Sequence, residues 1–143
     1  MYPLIVSVFL LAVTMIMPTF LVLPHAVELQ RFRHIAANFC VYREAVSQYL
    51  NSHAGIAAIP PEDIPLPPGY VMIGNWQNHM AGSYCYVFGD AVSADVISHI
   101  RNRLGNSVLV GQNINGVIFP SGIVLPVGHG VPNGSIVSLV SVQ

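Results

Sequence analysis

The feature that most constrains this chain is its start, where no charged side chain occurs from Tyr2 to Leu23. As a helix that rises about 1.5 Å per residue, this apolar run would reach roughly 33 Å. The hydrocarbon core of a bilayer is about 30 Å thick, so the run is long enough to cross it. Its few Pro, Ser and Thr residues are compatible with a membrane helix. The sequence therefore predicts a transmembrane anchor over residues 1–24.

A cleaved secretory signal is the main alternative for this run. Such a signal has a basic start, an apolar region of about 7 to 15 residues and a small-x-small cleavage site. Here the start has no basic side chain, the apolar run is longer, and FLVLPHAVE at its end offers no good small-x-small triplet. We therefore expect the segment to be retained as a single-pass anchor.

The side of the membrane on which the rest of the chain lies is less constrained. Arg31 and Arg33 follow the apolar run, and counted by the positive-inside rule they favour a cytoplasmic C-terminal domain. A compact domain can be translocated regardless of two such charges. The domain is lysine-free, rich in Gly, Pro, Ser and Asn, and carries two cysteines. We favour the periplasm on these grounds.

A second helix pattern covers residues 25–54, beyond a kink expected at Pro24. Its large apolar residues recur at alternating spacings of three and four, which is an a/d seam nearly three heptads long. The seam consists of Phe32, Ile35, Phe39, Tyr42, Val46 and Tyr49. Ala36 and Leu50 widen the seam, whereas Asn38 lies off it. The seam can pack on the chain's own sheet, or take part in a bundle with other anchored helices, and both can hold.

The remainder predicts a proline-rich connector over residues 55–69 and a small domain over residues 70–143. Within that domain, aromatic and β-branched runs predict strands near 70–76 and 83–88, joined through QNHMAG. A short helix follows, capped by Asp90 or Ser93 and ended by Gly105. SVLVGQ and NGVIFPSG predict a second hairpin that turns through NIN, and SIVSLVSVQ a last strand. The fold class is therefore α+β, with an antiparallel sheet and helices packed on it.

Two cysteines lie far apart in the sequence, at Cys40 in the long helix and Cys85 in a strand. In an oxidising compartment they could form a disulfide that ties the helix to the sheet. Closing a loop of about 45 residues would stabilise the fold by roughly 4 kcal/mol in the chain-entropy model. Two buried free thiols are the alternative.

No recognisable reaction chemistry or cofactor motif occurs in the chain, so we expect a protein that is not an enzyme. The six histidines contain no HExxH arrangement and no i, i+4 pair, which leaves no metal-site motif. They are His25, His34, His53, His79, His99 and His129. There is no G-x-S-x-G elbow, and GHGVPNG lacks the Lys-Ser/Thr of a phosphate loop. With a net charge of −1 and no lysine, the composition argues against nucleic-acid binding.

The order of an apolar span, a heptad helix, a proline-rich connector and a Gly/Pro-rich sheet domain is similar to proteins of type IV pilus systems. The chain resembles the small PilM family of plasmid conjugative thin pili over almost its whole length. The resemblance rests on VYREAVSQYLNSHAG, IPLPPGY, NW, VLVGQNINGVIFPSG and VPNGSIVSLV. It implies an inner-membrane component of the pilus assembly apparatus with a pilin-like architecture. The actin-like ATPase of the same name is unrelated, and no nucleotide motif is present here.

The apolar run predicts the lipid bilayer as a partner, and the resemblance implies other pilus assembly proteins or pilins; a homo-oligomer is a further candidate. A pilin-like minor subunit is the nearest rival function. Pilins carry a basic leader, a glycine before the cleavage point and an early acidic residue, whereas the first carboxylate here is Glu28. A secreted or anchored enzyme with an unrecognised site is the third hypothesis.

Overall fold

The computed structural model describes residues 2–53 and 55–141, apart from the side chains of residues 2–5 and 8–25. The chain forms two compact units, Met1–Phe32 and Arg33–Gln143. The described part contains two α-helices and one six-stranded antiparallel sheet, which makes the fold α+β as the sequence predicted. 

The first helix, α1, extends over Tyr2–Ser52 and includes Pro24, where we expected a kink. None of the described helical residues forms a stretch with the length and hydropathy needed to cross a bilayer. Most side chains of the predicted anchor, residues 1–24, lie outside the described residues. The anchor therefore stays a prediction. In the first unit, the described side chains from Ala26 to Arg31 are exposed.

The second unit contains the C-terminal part of α1, the short helix α2 and all the strands. The elements after α1 are a 3-10 turn at Pro61–Asp63, β1 (Gln77–Ala81), β2 (Tyr84–Gly89), α2 (Ala94–Arg103), β3 (Val110–Ile114), β4 (Val117–Phe119), β5 (Ile123–Val124) and β6 (Ile136–Ser141). The strands lie in the order β1-β2-β6-β3-β4-β5, and every pair is antiparallel. The last strand of the chain is thus inserted between the two hairpins.

Strand β6 lies at the centre of the sheet and is buried on both faces. Side chains alternate between the two faces of a strand, so Ser138 and Val137 point in opposite directions. Ser138 lies on the face that α1 and α2 cover, which we call the helix face. On the opposite face, Val137 belongs to a buried apolar cluster with Tyr86, Phe88, Ile118, Leu125, Val131 and Leu139. Residues 125–131 of the loop before β6 therefore close the side of the sheet that lacks helices.

The predicted strand over residues 70–76 is wrong, because the first strand is β1 at Gln77–Ala81. That strand falls in the segment we had assigned to the turn, and the actual turn is at Gly82 and Ser83. Its polar sequence suits an edge strand, where much of each side chain meets water. The backbone of residues 71 and 73 bonds instead to a side chain of α1, which removes it from the sheet ladder.

The second hairpin was predicted, but its two-residue turn, Asn115–Gly116, begins only at the last residue of the predicted NIN turn. Asn115 and Gly116 both have positive φ, at 52° and 82°, and they connect β3 to β4. Asn-Gly is the strongest two-residue signal for a type I′ hairpin turn, which needs positive φ at both positions. The two-residue strand β5 pairs with β4 at the edge of the sheet.

The second helix begins and ends where its sequence predicts. The Ser93 hydroxyl accepts a hydrogen bond from the Val96 backbone N–H at 3.4 Å, so Ser93 rather than Asp90 is the cap. Gly105 follows the helix with a φ of 66°, and Asn106 N donates to the Arg101 carbonyl at 2.7 Å. A glycine in this left-handed conformation is a common helix C-terminus.

Candidate interaction surfaces

The seam of α1 is largely occupied within the second unit. Phe39, Tyr42 and Val46 are buried, as are Ala36 and Leu50. Ile35 and Tyr49 are half-buried. Phe39 meets the Trp76 ring edge-to-face at 5.1 Å, and the Tyr42 hydroxyl accepts a hydrogen bond from Asn78 Nδ2 at 3.1 Å. These contacts engage the middle of the seam with the chain's own domain.

Phe32, the first residue of the predicted seam, is half-buried and belongs to the first unit. Contact between the seam and other chains stays a prediction. 

Asn38, which we placed off the seam, has the largest set of side-chain hydrogen bonds to the segment before β1. Its Oδ1 accepts from Trp76 Nε1 at 2.7 Å, from the Tyr70 hydroxyl at 3.0 Å and from Ile73 N at 3.0 Å. Its Nδ2 donates to the Val71 carbonyl at 2.8 Å. One amide therefore satisfies the backbone of an irregular segment that has no ladder partner there. The signal in the sequence was its position four residues before Tyr42, on the border of the seam.

Trp76 is only 3% exposed, and its indole ring packs against the backbone of two glycines, Gly74 and Gly89. A Cβ atom built at Gly74 or Gly89 would clash with its indole ring. Both glycines are therefore needed so that the ring can reach Phe39 and Asn38. Trp76 is thus a core residue, and burial raises the pKa of neighbouring Tyr70 to about 12.

Arg43 borders the other side of the seam and reaches the centre of the sheet. Its Nε donates to the hydroxyl of fully buried Ser138 at 2.8 Å. Burial lowers the pKa of Arg43, with Glu44 opposing that shift. Arg43 lies four residues after Phe39 and three before Val46, so its position on the helix relative to the seam could have identified this contact.

Cys40 and Cys85 are both free cysteines in the structure. Cys40 is half-buried beside Arg103 and Arg43, whereas Cys85 is buried in β2 near Tyr42. Burial raises the pKa of the Cys85 thiol to about 12, and burial likewise raises that of Cys40. The disulfide stays a prediction, and as thiols both groups would be poor nucleophiles at neutral pH.

Two of the described histidines, His53 and His129, have local structural contacts. His129 Nδ1 accepts from Val131 N at 2.9 Å, and the His53 ring stacks on Tyr49 at 4.2 Å. His25 lies outside the described side chains. Within the described residues, no three His, Cys, Asp or Glu side chains come together as a metal site would need.

One exposed apolar surface is the tip formed by Val71, Met72 and Ile73. The contacts from Asn38 to the backbone of residues 71 and 73 hold this tip in place, while its side chains face solvent. Because large exposed apolar patches mark interaction sites, these three adjacent side chains are a candidate contact surface.

A second apolar surface lies where α2 meets β3 and β4. A cleft of about 530 Å³ opens there, and its apolar side chains include Ile97, Ile114 and Phe119. Phe119 is 61% exposed and Ile114 is 43% exposed. Arg101 is the charged residue of the lining, which also contains Asn102, Asn106 and Gln112.

Comparison with known proteins agrees with this architecture. The family model for PilM matches residues 8–139. The chain belongs to the PilM family. The crystal structure of a PilM protein from Escherichia coli B7A is similar in fold, with a TM-score of 0.56 and 19% sequence identity. The match covers 78% of this chain and 92% of the other. Among curated proteins, no sequence matches the chain.

Membership of the PilM family, which the sequence resemblance had indicated, connects the chain with conjugative pili and with other pilus proteins. In this PilM-family chain, the described side chains gather into packing clusters and exposed apolar surfaces.

Proposed function

We propose that the chain is a non-enzymatic, single-pass inner-membrane component of a type IV conjugative pilus assembly apparatus, which acts through contacts with other proteins. The observation that carries the proposal is an uncharged run long enough to cross a bilayer, Tyr2–Leu23, in a chain of the PilM family. Placement of the C-terminal domain in the periplasm is part of the proposal. The partners are the bilayer and other pilus assembly proteins or pilins, with no nucleic acid among them.

The two exposed apolar surfaces of the second unit support a role in contacts. Both the Val71–Ile73 tip and the α2–β4 cleft present large apolar side chains to solvent. Monomeric proteins rarely expose contiguous apolar patches without a use for them. The raised pKa values of Cys40 and Cys85 favour the same interpretation, because a catalytic thiol needs the opposite shift.

The anchor can be tested by fractionating cells that express the full chain and measuring the mass of the mature polypeptide. We expect the intact chain in the inner-membrane fraction, resistant to extraction by high salt and carbonate. A dual topology reporter fused after Gln143 should register the periplasmic side. A soluble chain shortened by its apolar start would contradict the proposal.

The pilus role can be tested by deleting the chain from a conjugative plasmid and counting transconjugants and assembled pili. We expect both to fall, and full-length complementation to restore them. Normal pili without the chain would overturn the assembly role. A processed, methylated N-terminus and recovery of the chain within sheared pili would instead support a pilin-like minor subunit.

A further inference from the structure

We propose that the α2–β4 cleft binds an apolar polypeptide segment of a partner protein, and that a carboxylate of this segment pairs with Arg101. The inference deepens the proposed function and rests on it, since it identifies the surface through which an assembly component would contact its partner. The occupant is defined by its chemistry: apolar side chains for the exposed sheet face, and a negative charge for the cleft.

The first argument is that most of this part of the helix face has no cover within the described residues: Ile114, Phe119 and Val124 are exposed, and Val117 is half-buried. By strand register, Gln112 lies opposite Phe119, Ile114 opposite Val117, and Val117 opposite Val124. Paired residues share a face, so these side chains form one surface, on the same face as Ser138. We call Ile114, Val117, Phe119 and Val124 the open patch; Val124 is 74% exposed.

The second argument is the continuity of the open patch with a concave site. Ile114 and Phe119 line the cleft of about 530 Å³, and α2 forms its opposite wall through Ile97, Ser98 and Arg101. A volume of this size is within the range of ligand pockets. An exposed aromatic ring beside a cleft is typical of the anchoring points at protein interfaces.

The third argument is charge, and it selects the occupant. Arg101 is the charged side chain of the lining, and the lining contains no carboxylate. In the described part of the chain, the guanidinium makes one long hydrogen bond, from Nε to the Ser107 carbonyl at 3.4 Å. A guanidinium has five N–H donors in a fork that matches a carboxylate. The terminal N–H groups therefore remain for an anionic group of the partner.

The amides around Arg101 fit an extended polypeptide. Asn102, Asn106 and Gln112 line the cleft, and each amide can both donate and accept hydrogen bonds. Gln112 Nε2 already donates to the Gly134 carbonyl at 2.9 Å. The other two can satisfy peptide groups of a bound segment, whereas a lipid chain would leave such groups without partners.

The test is binding of the detergent-solubilised full chain to an array of short overlapping peptides from the other pilus proteins of the same conjugative plasmid. Positive peptides are then measured by fluorescence anisotropy, each beside its counterpart with Glu→Gln, Asp→Asn or an amidated C-terminus. We expect binding by apolar peptides that carry a carboxylate. Neutralising that carboxylate should weaken binding about tenfold or more, since hydrogen bonds to charged groups are the strong ones.

Arg101→Gln and Phe119→Ser should each reduce peptide affinity about tenfold, as substitutions at interface anchors do. Arg103→Gln is the matched charge control, because Arg103 lies on the same helix but outside this cleft's lining. Val127→Ser is the matched apolar control at a fully exposed site in another loop. Both controls should bind as the unmodified chain does, and urea unfolding should show that all four variants fold.

The proposal is overturned if no peptide binds, or if binding survives both cleft variants. Equal binding of the acid and amide peptides would remove the role of Arg101. A dimer that dissociates on Phe119→Ser would identify a second copy as the occupant, which contradicts the stated partner. These failures are distinguishable from failure of the proposed function, because fractionation of the full chain and pilus counts after its deletion test the anchor and the pilus role without measuring what the cleft binds.

Discussion

The helix face of one sheet has two parts that differ in how they are covered. The part over β2, β6 and the start of β3 lies under α1 and α2, and Cys85, Val110 and Ser138 there are completely buried. The open patch on β3, β4 and β5 leaves Phe119 and Val124 exposed. The strands and the face are continuous, so the difference arises from where the helices end. The covered part stabilises the fold, and the open part is where we propose that a partner binds.

The largest expected effect comes from placing a charge in each part. Phe39→Asp should prevent the full chain from accumulating in folded form, since loss of a buried Phe costs about 3–5 kcal/mol and a buried carboxylate costs more. Phe119→Asp is the matched control at a ring that is 61% exposed. Its free energy of unfolding should change by about 0.5 kcal/mol or less. Abundance in cells and urea unfolding measure both.

A folded, normally abundant Phe39→Asp variant would show that the seam of α1 is not needed to cover the sheet. Severe loss of stability in Phe119→Asp would show instead that the open patch is packed. Either result would remove the distinction between the two parts.

The next effect concerns the hydrogen bonds of Asn38. Asn38→Ala should lower the free energy of unfolding by about 2–4 kcal/mol, because Trp76 Nε1 and Ile73 N lose their acceptor. The chain has a single tryptophan, so its emission reports directly on this site. We expect a red shift as water reaches the indole. Asn102→Ala, on the exposed wall of the cleft, is the control and should leave stability and emission unchanged.

The buried thiol of Cys85 predicts a pH dependence. Its pKa in the folded chain is about 12, against an ordinary value of 9.0, so the folded state favours the neutral thiol. The resulting stabilisation is complete below about pH 9 and is lost as the pH rises towards about 12. At a pH one unit above the ordinary value, Cys85 alone should lower the free energy of unfolding by about 1.4 kcal/mol.

Urea unfolding at several pH values measures this loss, with Tyr70 adding to it above its own ordinary pKa of 10.0. Cys85→Ala should have lower stability at neutral pH but a flatter decline at alkaline pH. An unchanged slope in that variant would show that another group controls the alkaline unfolding. A non-reducing mass measurement on the same sample determines whether Cys40 and Cys85 are thiols or a disulfide.

Periodic apolar patterns correctly predicted the elements that form the covered part of the molecule. The spacing of Phe39, Tyr42 and Val46 identified residues that the structure buries, and β2, α2 and β6 were predicted close to their observed bounds. These elements have strong local signals because each must bury one face or stripe. The PilM resemblance, carried by motifs along the chain, was confirmed by the family model over residues 8–139.

The polar features were predicted less well, because they depend on contacts between distant residues. GYVMIGNW has the composition of a strand, yet its backbone bonds to Asn38, which lies more than thirty residues earlier. Gln77–Ala81 has the composition of a turn, yet it pairs with β2 at the edge of the sheet. The cleft at Phe119 could not be predicted either, since it depends on how far α2 extends across the sheet.

The smallest expected effect compares one conservative change at two strand positions on the helix face. Val124→Thr lies in the open patch, and we expect its free energy of unfolding to stay within about 0.5 kcal/mol of the unmodified chain, because threonine suits an exposed strand. Val110→Thr places the same hydroxyl at a fully buried site and should cost about 1–3 kcal/mol. Urea unfolding of both variants in the same detergent gives the difference. Because the substitution is identical, equal losses at the two sites would mean that the open patch is covered in the folded chain, and the cleft could not then receive a partner.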